Sequence, residues 1–277
     1  MKNKKIGLVE NINNLSYADF VGFINQWNTP PGSYSTISKL AKFSNMDKKS
    51  VVLEVGCSTG FSLRELVLQT GAAGVGIDVS VNSIDMAKYN KEKHASGCDI
   101  KYMVKNGYEY APSKKFTHIM VGGNLKFFGK PEDMMERCVN MLSNNGYILA
   151  TPYYMIKKMP TKLINEVSKT IGIPLSAFSN FDYKGVIDMY NKLEIVYEER
   201  NLLQQETDKE IDYYCKSVIS RACDIHKIKD KSVYDVMYHK LYNFRKLINA
   251  TRDFQEYNIL VLRYRKSIYP NRLTPLF

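Results

Sequence analysis

Long apolar stretches, an even set of cysteines and internal repeats are all missing from this sequence of 277 residues. Because no run of about 18 or more apolar residues occurs, the sequence predicts no membrane-spanning helix. The first residues are rich in lysine and lack the apolar stretch of a signal peptide, so we expect a cytoplasmic protein. Five cysteines, an odd number at wide spacing, favour reduced thiols over a disulfide framework.

The composition is that of a globular chain with a full hydrophobic core. Hydrophobic residues make up 44% and charged residues 24% of the chain. Lysine and arginine number 39 against 28 acidic residues, a net charge of +11, which raises the question of a nucleic-acid or anionic-membrane partner. The excess is spread over both halves of the chain, so it indicates a solvated basic surface rather than a basic arm.

Short apolar runs alternate with helical patterns from residue 35 to residue 151. The patterns predict helices over residues 35–43, 61–69, 81–93 and 132–142, and strands over residues 51–55, 73–79, 100–104, 117–121 and 146–151. Because strands that alternate with helices form βαβ units, we expect an α/β fold with a doubly wound, mostly parallel sheet. Two later runs, residues 193–198 and 258–264, predict two further strands and a seven-stranded sheet.

Residues 203–253, between the last two predicted strands, have a helical character. Thr207 and Glu210 form a capping-box pattern, and apolar residues then recur at helical spacing in two successive stretches. The two amphipathic helices either cover one end of the sheet together with the N-terminal segment or extend the core. In the first arrangement the chain divides into an N-terminal helical cap (1–45), the core (46–202), an inserted helical cap (203–253) and a last strand with the tail (254–277).

The turn after the first predicted strand suits a ligand that approaches the backbone closely. Glu54 lies in the end of that strand, and Gly56, Ser58 and Gly60 supply small residues before the next helix. Asp78 lies at the end of the second strand. At the carboxyl edge of a doubly wound sheet the two points lie side by side, and such an acid can hold both hydroxyls of a ribose. The pattern predicts an adenosine-binding site.

This arrangement resembles the class I S-adenosylmethionine-dependent methyltransferases over most of residues 30–151. The family's motif Glu-x-Gly-x-Gly-x-Gly corresponds to Glu54, Gly56, Ser58 and Gly60, with a serine in place of the middle glycine. Asp78 and Val79 match the family's ribose-binding acid and the neighbour that packs on adenine. Asn106 and Gly107 stand where the family usually has an aspartate beside the adenine amine.

The resemblance implies a Rossmann-like methyltransferase fold, S-adenosylmethionine as cofactor and S-adenosylhomocysteine as product. Asp78 is then expected to hold the ribose hydroxyls, Val79 to pack on the adenine and Asn106 to meet the adenine edge. Glu54 is expected to receive the cofactor's ammonium, directly or through water. The residues that the resemblance places at the cofactor are Tyr34, Glu54, Gly56, Ser58, Gly60, Asp78, Val79, Asn106, Gly107 and Gly122.

Trp27 and Tyr34 flank a rigid Pro-Pro-Gly turn at residues 30–32, just before the sheet begins. By the resemblance, such a segment closes over the methionine half of the cofactor, with an aromatic ring near the sulfonium, because a ring face favours positive charge. Tyr34 is the residue that we expect there. The alternative is that both rings only attach the N-terminal helices to the core.

The methyl acceptor is expected above the fourth and fifth strands, beneath the helical cap. The side chains expected to line its pocket are Trp27, Asn124, Tyr153, Tyr154 and Asp182. A covered pocket rich in tyrosine suits a small molecule or a peptide-like metabolite of natural-product biosynthesis. Nitrogen and oxygen acceptors are both open, with a slight preference for nitrogen because the sequence offers no strong general base. Since the chain has 20 tyrosines, ordinary core packing also explains each of them.

Other classes of protein fit the sequence less well. A dehydrogenase of the Rossmann type needs Gly-x-Gly-x-x-Gly spacing, which is absent. The Asn/Asp-Pro-Pro-Tyr motif of DNA amino-methyltransferases is absent too, and the alternative function is an RNA methyltransferase that holds phosphates with its basic surface. Cys215, Cys223, His226 and His239 lack the spacing of compact zinc sites, so no metal is expected. His118, in an apolar strand, is interpreted as a core histidine.

Overall fold

A twisted sheet flanked by helices forms the centre of the protein, for which a computed structural model describes residues 2–123, 125, 128–172 and 182–271. The strands are β1 (Val51–Val55), β2 (Ala73–Asp78), β3 (Ile100–Val104), β4 (Phe116–Gly122), β5 (Leu142–Ala150), β6 (Tyr153–Met155), β7 (Glu194–Leu202) and β8 (Gln255–Arg263). The helices are α1 (Lys2–Asn14), α2 (Tyr17–Phe23), α3 (Ser33–Phe43), α4 (Phe61–Thr70), α5 (Val81–His94), α6 (Pro131–Met141), α7 (Thr161–Ile171), α8 (Tyr183–Asp188), α9 (Asp208–His226) and α10 (Lys231–Thr251).

The sheet has the strand order β3-β2-β1-β4-β5-β8-β6, and β7 also pairs with β8. Strands β1 to β5 run parallel to one another, whereas β8 runs antiparallel to β5, β6 and β7. The order reverses between β1 and β4, and ligands of doubly wound sheets bind at that reversal, outside the carboxyl ends of the strands. The predicted doubly wound, mostly parallel sheet is therefore confirmed.

The number of strands differs from the prediction. The described part of the chain forms eight strands rather than seven, because β6 was not predicted. With three residues, β6 is too short to produce a periodic pattern, and its pairing with β8 defines it. Helices α7 and α8 were not predicted either, although Leu163, Val167 and Ile171 recur every four residues along α7.

Two hydrophobic layers cover the faces of the sheet because successive residues of a strand point to opposite sides. In β1, Leu53 and Val55 belong to the layer formed with α6 and α8. Val52 belongs to the opposite layer, which includes buried residues of α3, α4 and α5. This alternation explains why β1 reads as a continuous apolar run: both of its faces are covered.

A third hydrophobic cluster joins the N-terminal helices to the inserted ones. It contains residues of α1, α2, α9 and α10, among them Ile12, Phe20, Ile211, Met237 and Phe244. The predicted capping box begins α9: Glu210 N–H donates to Thr207 Oγ1 at 3.3 Å, and Thr207 N–H donates to Glu210 Oε2 at 2.7 Å. The two amphipathic helices of residues 203–253 are thus confirmed, packed against the N-terminal segment.

Helix α2 lies directly on the start of α5. Ser80 Oγ donates to Asp19 Oδ1 at 2.7 Å, and Ser83 Oγ donates to the Ala18 carbonyl at 3.3 Å. A Cβ added to Gly22 would lie 2.4 Å from the Ser83 nitrogen, so the two backbones approach as closely as glycine allows. Because α5 begins beside the carboxyl end of β2, this contact places the helical cluster over the carboxyl edge of the sheet.

No helix among the described residues is long and apolar enough to cross a membrane.

Candidate cofactor site

The turn between β1 and α4 has a backbone conformation that few residues adopt. Gly56, Ser58 and Gly60 have φ values of 72°, 48° and 79°, all in the left-handed region. A Cβ on Gly60 would lie 2.6 Å from the Tyr102 ring, whose hydroxyl donates to the Gly60 carbonyl at 2.9 Å. Gly60 therefore fits for both conformational and steric reasons, and Ser58 takes the left-handed position that the family fills with glycine.

Asp78 joins the end of β2 to this turn. Ser58 N–H donates to its Oδ2 and Ser80 N–H donates to its Oδ1, each at 2.9 Å. Burial raises the pKa of Asp78, and the hydrogen bonds from backbone N–H groups oppose that rise. A carboxylate oxygen accepts more than one hydrogen bond, so both oxygens retain capacity for the two hydroxyls of a ribose.

Exposed aliphatic side chains border Asp78 at the carboxyl edge. Val79 is 67% exposed, although it directly follows a strand that has three buried and three partly buried residues. Val104 is 43% exposed and pairs with Asp78 across β2 and β3. Apolar surface of this kind, next to the acid predicted to hold a ribose, suits the flat face of a purine.

Glu54 is a buried carboxyl group beneath the same turn. It is 6% exposed, and Leu63 N–H donates to its Oε2 at 3.1 Å. Burial raises the pKa of Glu54 to about 8, and the nearby charge of Asp78 contributes to the rise, while hydrogen bonds from Leu63 and Ser62 oppose it. A cationic group placed beside Glu54 would restore the ionised form, which is the condition for binding an ammonium.

The next predicted group, near the end of β3, is less open to a ligand. Asn106 Oδ1 accepts from Tyr108 N–H at 3.0 Å, and Asn106 Nδ2 donates to Glu109 Oε1 at 3.3 Å, so its amide stabilises its own turn. A Cβ on Gly107 would lie 3.0 Å from Val55 Cγ1, which indicates tight packing. Asn106 is nevertheless exposed, and its amide retains one N–H and one oxygen lone pair, so its predicted contact with an adenine stays a prediction.

Gly122 ends β4 at the same carboxyl edge. Its φ is 51°, and its carbonyl accepts from Thr151 N–H at 3.0 Å. The hydrogen bond brings the end of β4 beside the start of the segment that follows β5. The structure therefore brings Gly122 to the same edge of the sheet as Asp78.

Tyr34 projects from the first turn of α3 toward the first turn of α4. Its ring is 52% exposed and meets the edge of the Phe61 ring at a centroid distance of 5.3 Å. Phe61 follows Gly60 directly, so the structure brings Tyr34 next to the turn of the cofactor motif.

Trp27 is packed among helices of the core and the cap. The Arg64 guanidinium lies 4.7 Å from its ring centroid and that of Arg221 5.6 Å, while the His94 and Phe61 rings lie at 5.4 and 5.8 Å. These partners belong to α4, α5 and α9. The contacts match the alternative interpretation, in which Trp27 attaches the N-terminal segment to the rest of the fold.

The two predicted substrate tyrosines lie on opposite faces of the sheet. Tyr153 packs with the layer of α3 and α4, and Tyr154 packs with the layer of α6 and α8. The Tyr154 hydroxyl donates to Glu256 and accepts from Arg200 Nε at 2.9 Å, so its polar group is occupied. One pocket therefore does not receive both side chains, which corrects the prediction that they share it; successive strand residues point apart.

The remaining substrate residues are placed less favourably. Asp182 Oδ1 accepts from Gly185 N–H at 2.8 Å and caps α8. Asn124 lies outside the described residues. Tyr153, by contrast, reaches the carboxyl edge: a Cβ on Gly123 would lie 3.0 Å from Tyr153 Cε2.

His118 is a buried histidine with partners on both ring nitrogens. Nε2 lies 3.1 Å from the Ser44 carbonyl and Nδ1 lies 2.8 Å from Thr117 Oγ1. Burial lowers its pKa, which keeps the ring neutral. Within residues 2–123, 125, 128–172 and 182–271, no three His, Cys, Asp or Glu side chains converge as ligands for a metal ion.

Sequence reasoning missed several polar residues near the site. Gln26 is one: its carbonyl accepts from Thr59 Oγ1 at 2.8 Å, which fastens the N-terminal segment to the cofactor turn. Glu206, Arg245 and Arg252 form another group, at the end of α10. Their separation along the chain gives no local motif, so no sequence signal would have found them as a group.

Comparisons with known proteins agree with this geometry. Residues 52–146 match the sequence model of a family described as a methyltransferase domain. The doubly wound fold, the left-handed turn and the acid at the end of β2 define a class I S-adenosylmethionine-dependent methyltransferase. The chain thus contains a methyltransferase domain over residues 52–146, its enzyme class is that of an S-adenosylmethionine-dependent methyltransferase, and S-adenosylmethionine is its cofactor.

Solved structures share the fold over most of the chain. The crystal structure of a protein named MccD is 25% identical, with a TM-score of 0.69, and the match covers 86% of this chain and 100% of that one. A Geobacter sulfurreducens S-adenosylmethionine-dependent methyltransferase bound to S-adenosylhomocysteine is 17% identical, with a TM-score of 0.64, covering 89% and 97%.

A third similar structure is phosphoethanolamine N-methyltransferase 2 of Haemonchus contortus, in complex with phosphomonomethylethanolamine and S-adenosylhomocysteine. It is 15% identical, with a TM-score of 0.63, and the match covers 92% of this chain but 61% of that one. A search of curated proteins found no significant match in sequence.

Proposed function

We propose that the protein transfers a methyl group from S-adenosylmethionine to a nitrogen or oxygen of a small molecule or peptide-like metabolite, in the cytoplasm and within natural-product biosynthesis. One observation carries the cofactor half of this proposal: the Asp78 carboxylate is held at the turn by Ser58 and Ser80 N–H groups, beside the exposed Val79. That arrangement supports a ribose and a purine side by side at the carboxyl edge.

Each cofactor residue has a separate task in this proposal. Asp78 accepts from the ribose hydroxyls, and Val79 packs against the adenine. Glu54 faces the ammonium and is ionised when that cation is present. Tyr34 lies near the sulfonium, where its exposed ring face favours positive charge. Bound S-adenosylmethionine supplies a methyl group activated by the sulfonium, so the protein needs mainly to position the acceptor about 3 Å from that carbon.

The acceptor is proposed to lie beneath the helical cap. In this division, residues 1–45 and 203–253 cover a core of residues 46–202, and residues 254–277 return the last strand to the sheet. The contact of α2 with α5 and the third hydrophobic cluster support it. A cover over the carboxyl edge excludes water and limits the acceptor to a compact molecule.

Nitrogen is the favoured acceptor atom. His118 is buried and held by core hydrogen bonds, so it does not serve as a general base for a hydroxyl. An amine can lose its proton to solvent before it binds, whereas a hydroxyl needs a base at the site. The Haemonchus neighbour was crystallised with phosphomonomethylethanolamine, a small amine, which supports a small-molecule acceptor.

The test uses methyl-labelled S-adenosylmethionine, the purified protein and an extract of the source organism, separated into RNA, protein and small molecules. Label in the small-molecule fraction is expected, and its mass would begin the identification of the acceptor. Asp78→Asn protein provides the background. Label in RNA instead would contradict the proposed acceptor and favour binding of phosphates by the basic surface. Failure of the wild-type protein to bind S-adenosylhomocysteine in calorimetry would contradict the cofactor assignment itself.

A further inference from the structure

Two arginines share one carboxylate at the end of α10. Arg245 Nε donates to Glu206 Oε2 at 2.8 Å, and Arg245 Nη2 contacts Oε1. Arg252 Nη2 lies 3.2 Å from the same Oε2. In the described part of the chain, Glu206 is the one carboxylate paired with either guanidinium, so the group carries one positive charge more than its acid neutralises.

This arginine cluster, consisting of Glu206, Arg245 and Arg252, is largely shielded from solvent and held in place. The three side chains are 20%, 21% and 17% exposed. Asn249 holds the backbone of Glu206 in place: Glu206 N–H donates to Asn249 Oδ1 at 2.8 Å, and Asn249 Nδ2 donates to the Glu206 carbonyl at 2.9 Å. Arg252 Nη1 donates to the Gln204 carbonyl at 2.6 Å. The guanidinium groups are therefore oriented before any ligand arrives, which reduces the entropy cost of binding.

Aromatic rings surround the cluster and lower the polarity around it. The Arg245 guanidinium lies 4.4 Å from the centre of the Tyr214 ring. Tyr17, on α2, is partly buried, and its ring lies 5.3 Å from that of Phe244, the residue before Arg245. Burial and the neighbouring charge of Arg245 lower the pKa of Arg252, and Glu206 opposes that shift. An unpaired positive charge in surroundings of low polarity is unfavourable, and a bound anion that pairs with it removes that cost.

The arginine cluster borders the region where the methyl group is transferred in the proposed function. Arg252 lies three residues before the start of β8, and β8 pairs with β6 through Gln255 and Met155, two residues beyond Tyr153. Tyr153 contacts the Gly123 position at the end of β4, and it pairs with Tyr257 across β6 and β8. The Tyr257 hydroxyl in turn lies 3.1 Å from the Cβ position of Gly32, which begins the segment that contains Tyr34.

We propose that the arginine cluster is the anchoring subsite for the methyl acceptor, and that the acceptor carries an oxyanion, either a phosphate or a carboxylate. This inference rests on the proposed function and specifies its substrate class. Arg252 Nη1 and Nη2 contact the Gln204 carbonyl and Glu206, so each retains a second N–H, and a planar guanidinium can direct such donors to two oxygens of one oxyanion. In this proposal Tyr153, whose ring contacts the Gly123 position just after β4, lies between the anchored group and the atom that receives the methyl.

The binding experiment titrates inorganic phosphate, sulfate and acetate into protein saturated with S-adenosylhomocysteine, using calorimetry. We expect saturable binding, weakened at least tenfold by Arg252→Gln. Arg265→Gln is the matched control, because Arg265 also pairs with a single acid, Glu194, at 2.9 Å, but lies at the opposite end of β8; it should bind as the wild type does. Tighter binding of phosphate than of acetate would identify a phosphate acceptor, and the reverse a carboxylate.

The wild-type protein provides a second measurement that does not depend on a variant's folding. Phosphate is expected to slow modification of Arg252 by phenylglyoxal at least threefold, as followed by peptide mass spectrometry, and to leave Arg265 unaffected. The inference would be overturned if phenylglyoxal modified Arg252 at equal rates with and without phosphate. It would also be overturned if Arg252→Gln protein bound phosphate as well as the wild type. If the wild-type protein does not bind S-adenosylhomocysteine, the proposed function is wrong. That result differs from a protein that binds S-adenosylhomocysteine but not phosphate, which would contradict only the anion subsite.

Discussion

Asp78 is the side chain on which we expect cofactor affinity to depend most directly. Replacement by asparagine keeps its size but removes the charge that strengthens hydrogen bonds with ribose hydroxyls, and it leaves the Ser58 and Ser80 N–H groups competing for one carbonyl oxygen. We expect the dissociation constant for S-adenosylhomocysteine to rise about tenfold in Asp78→Asn, the value of a charge-assisted pair. Calorimetric titration measures it directly.

Asp85→Asn is the matched control for Asp78→Asn. Asp85 is exposed on α5, one turn beyond the start of the helix, and it takes no part in the turn. Asp85→Asn should leave the affinity unchanged. If Asp78→Asn binds S-adenosylhomocysteine as tightly as the wild type, Asp78 is a strand-end cap and not a ligand.

The contact between α2 and α5 determines how the N-terminal cap sits on the core. A methyl group at residue 22 would clash with backbone atoms, 2.4 Å from Ser83 N and 2.7 Å from Asn82 C, so Gly22→Ala must push the helices apart. We expect a loss of roughly 1–3 kcal/mol of unfolding free energy. We also expect faster amide exchange in α2, because the bonds of Asp19 and Ala18 to α5 would lengthen.

Gly97→Ala separates this effect from the general cost of replacing glycine. A Cβ at Gly97 meets no described atom within 4 Å, so this variant should unfold as the wild type does in urea. Exchange in α9 should stay slow in both variants, since its contacts with α10 do not involve Gly22. Equal stability of the two alanine variants would show that α2 is not fixed on α5.

The pH dependence of global unfolding follows from one buried acid. In the folded, cofactor-free protein the pKa of Glu54 is about 8 instead of the usual 4.5, because of burial. Between these values the folded protein holds a proton that the unfolded chain has released, so the unfolding free energy falls as the pH rises through this window. Glu54→Gln removes the penalty, and we expect it to stabilise the cofactor-free protein at pH 8 by on the order of 2 kcal/mol.

Urea titrations at pH 5, 6.5 and 8 would measure this effect. The stability difference between Glu54→Gln and the wild type should grow with pH, while binding of S-adenosylhomocysteine weakens in the variant. Glu92→Gln, at an exposed position on α5, should give a profile parallel to that of the wild type. Parallel profiles for Glu54→Gln as well would show that Glu54 is ionised in the folded protein.

Much of the fold was predictable because its core consists of strands buried on both faces. Such strands appear as short apolar runs, and β1 was predicted to the residue. The bounds of β3 were also predicted to the residue, although it is at the end of the strand order and Lys101 and Val104 are exposed. The cofactor turn was predictable for a related reason: Glu54 and Gly60 lie within one contiguous segment, and Asp78 follows at the end of the next strand. Local sequence therefore encodes this part of the site.

The acceptor side of the site was not predictable in the same way. Missing β6 led to the grouping of Tyr153 with Tyr154, since the opposite orientation of neighbouring side chains follows only once the segment is known to be a strand. Glu206 and Arg252 precede and follow the inserted helices α9 and α10, and they meet because these two helices bring the chain back to its starting point. Residues so far apart in sequence form no local motif.

Strand β8 has a consequence for synthesis on the ribosome. It pairs with β5, β6 and β7, yet it is the last of the described strands to be made. Until β8 has been synthesised, the edge of β5 that pairs with β8 is unpaired, and β7 lacks the strand with which it pairs. Open edges of this kind invite pairing with other chains, so the protein is most exposed to aggregation, and most in need of a chaperone, until its final strand leaves the exit tunnel.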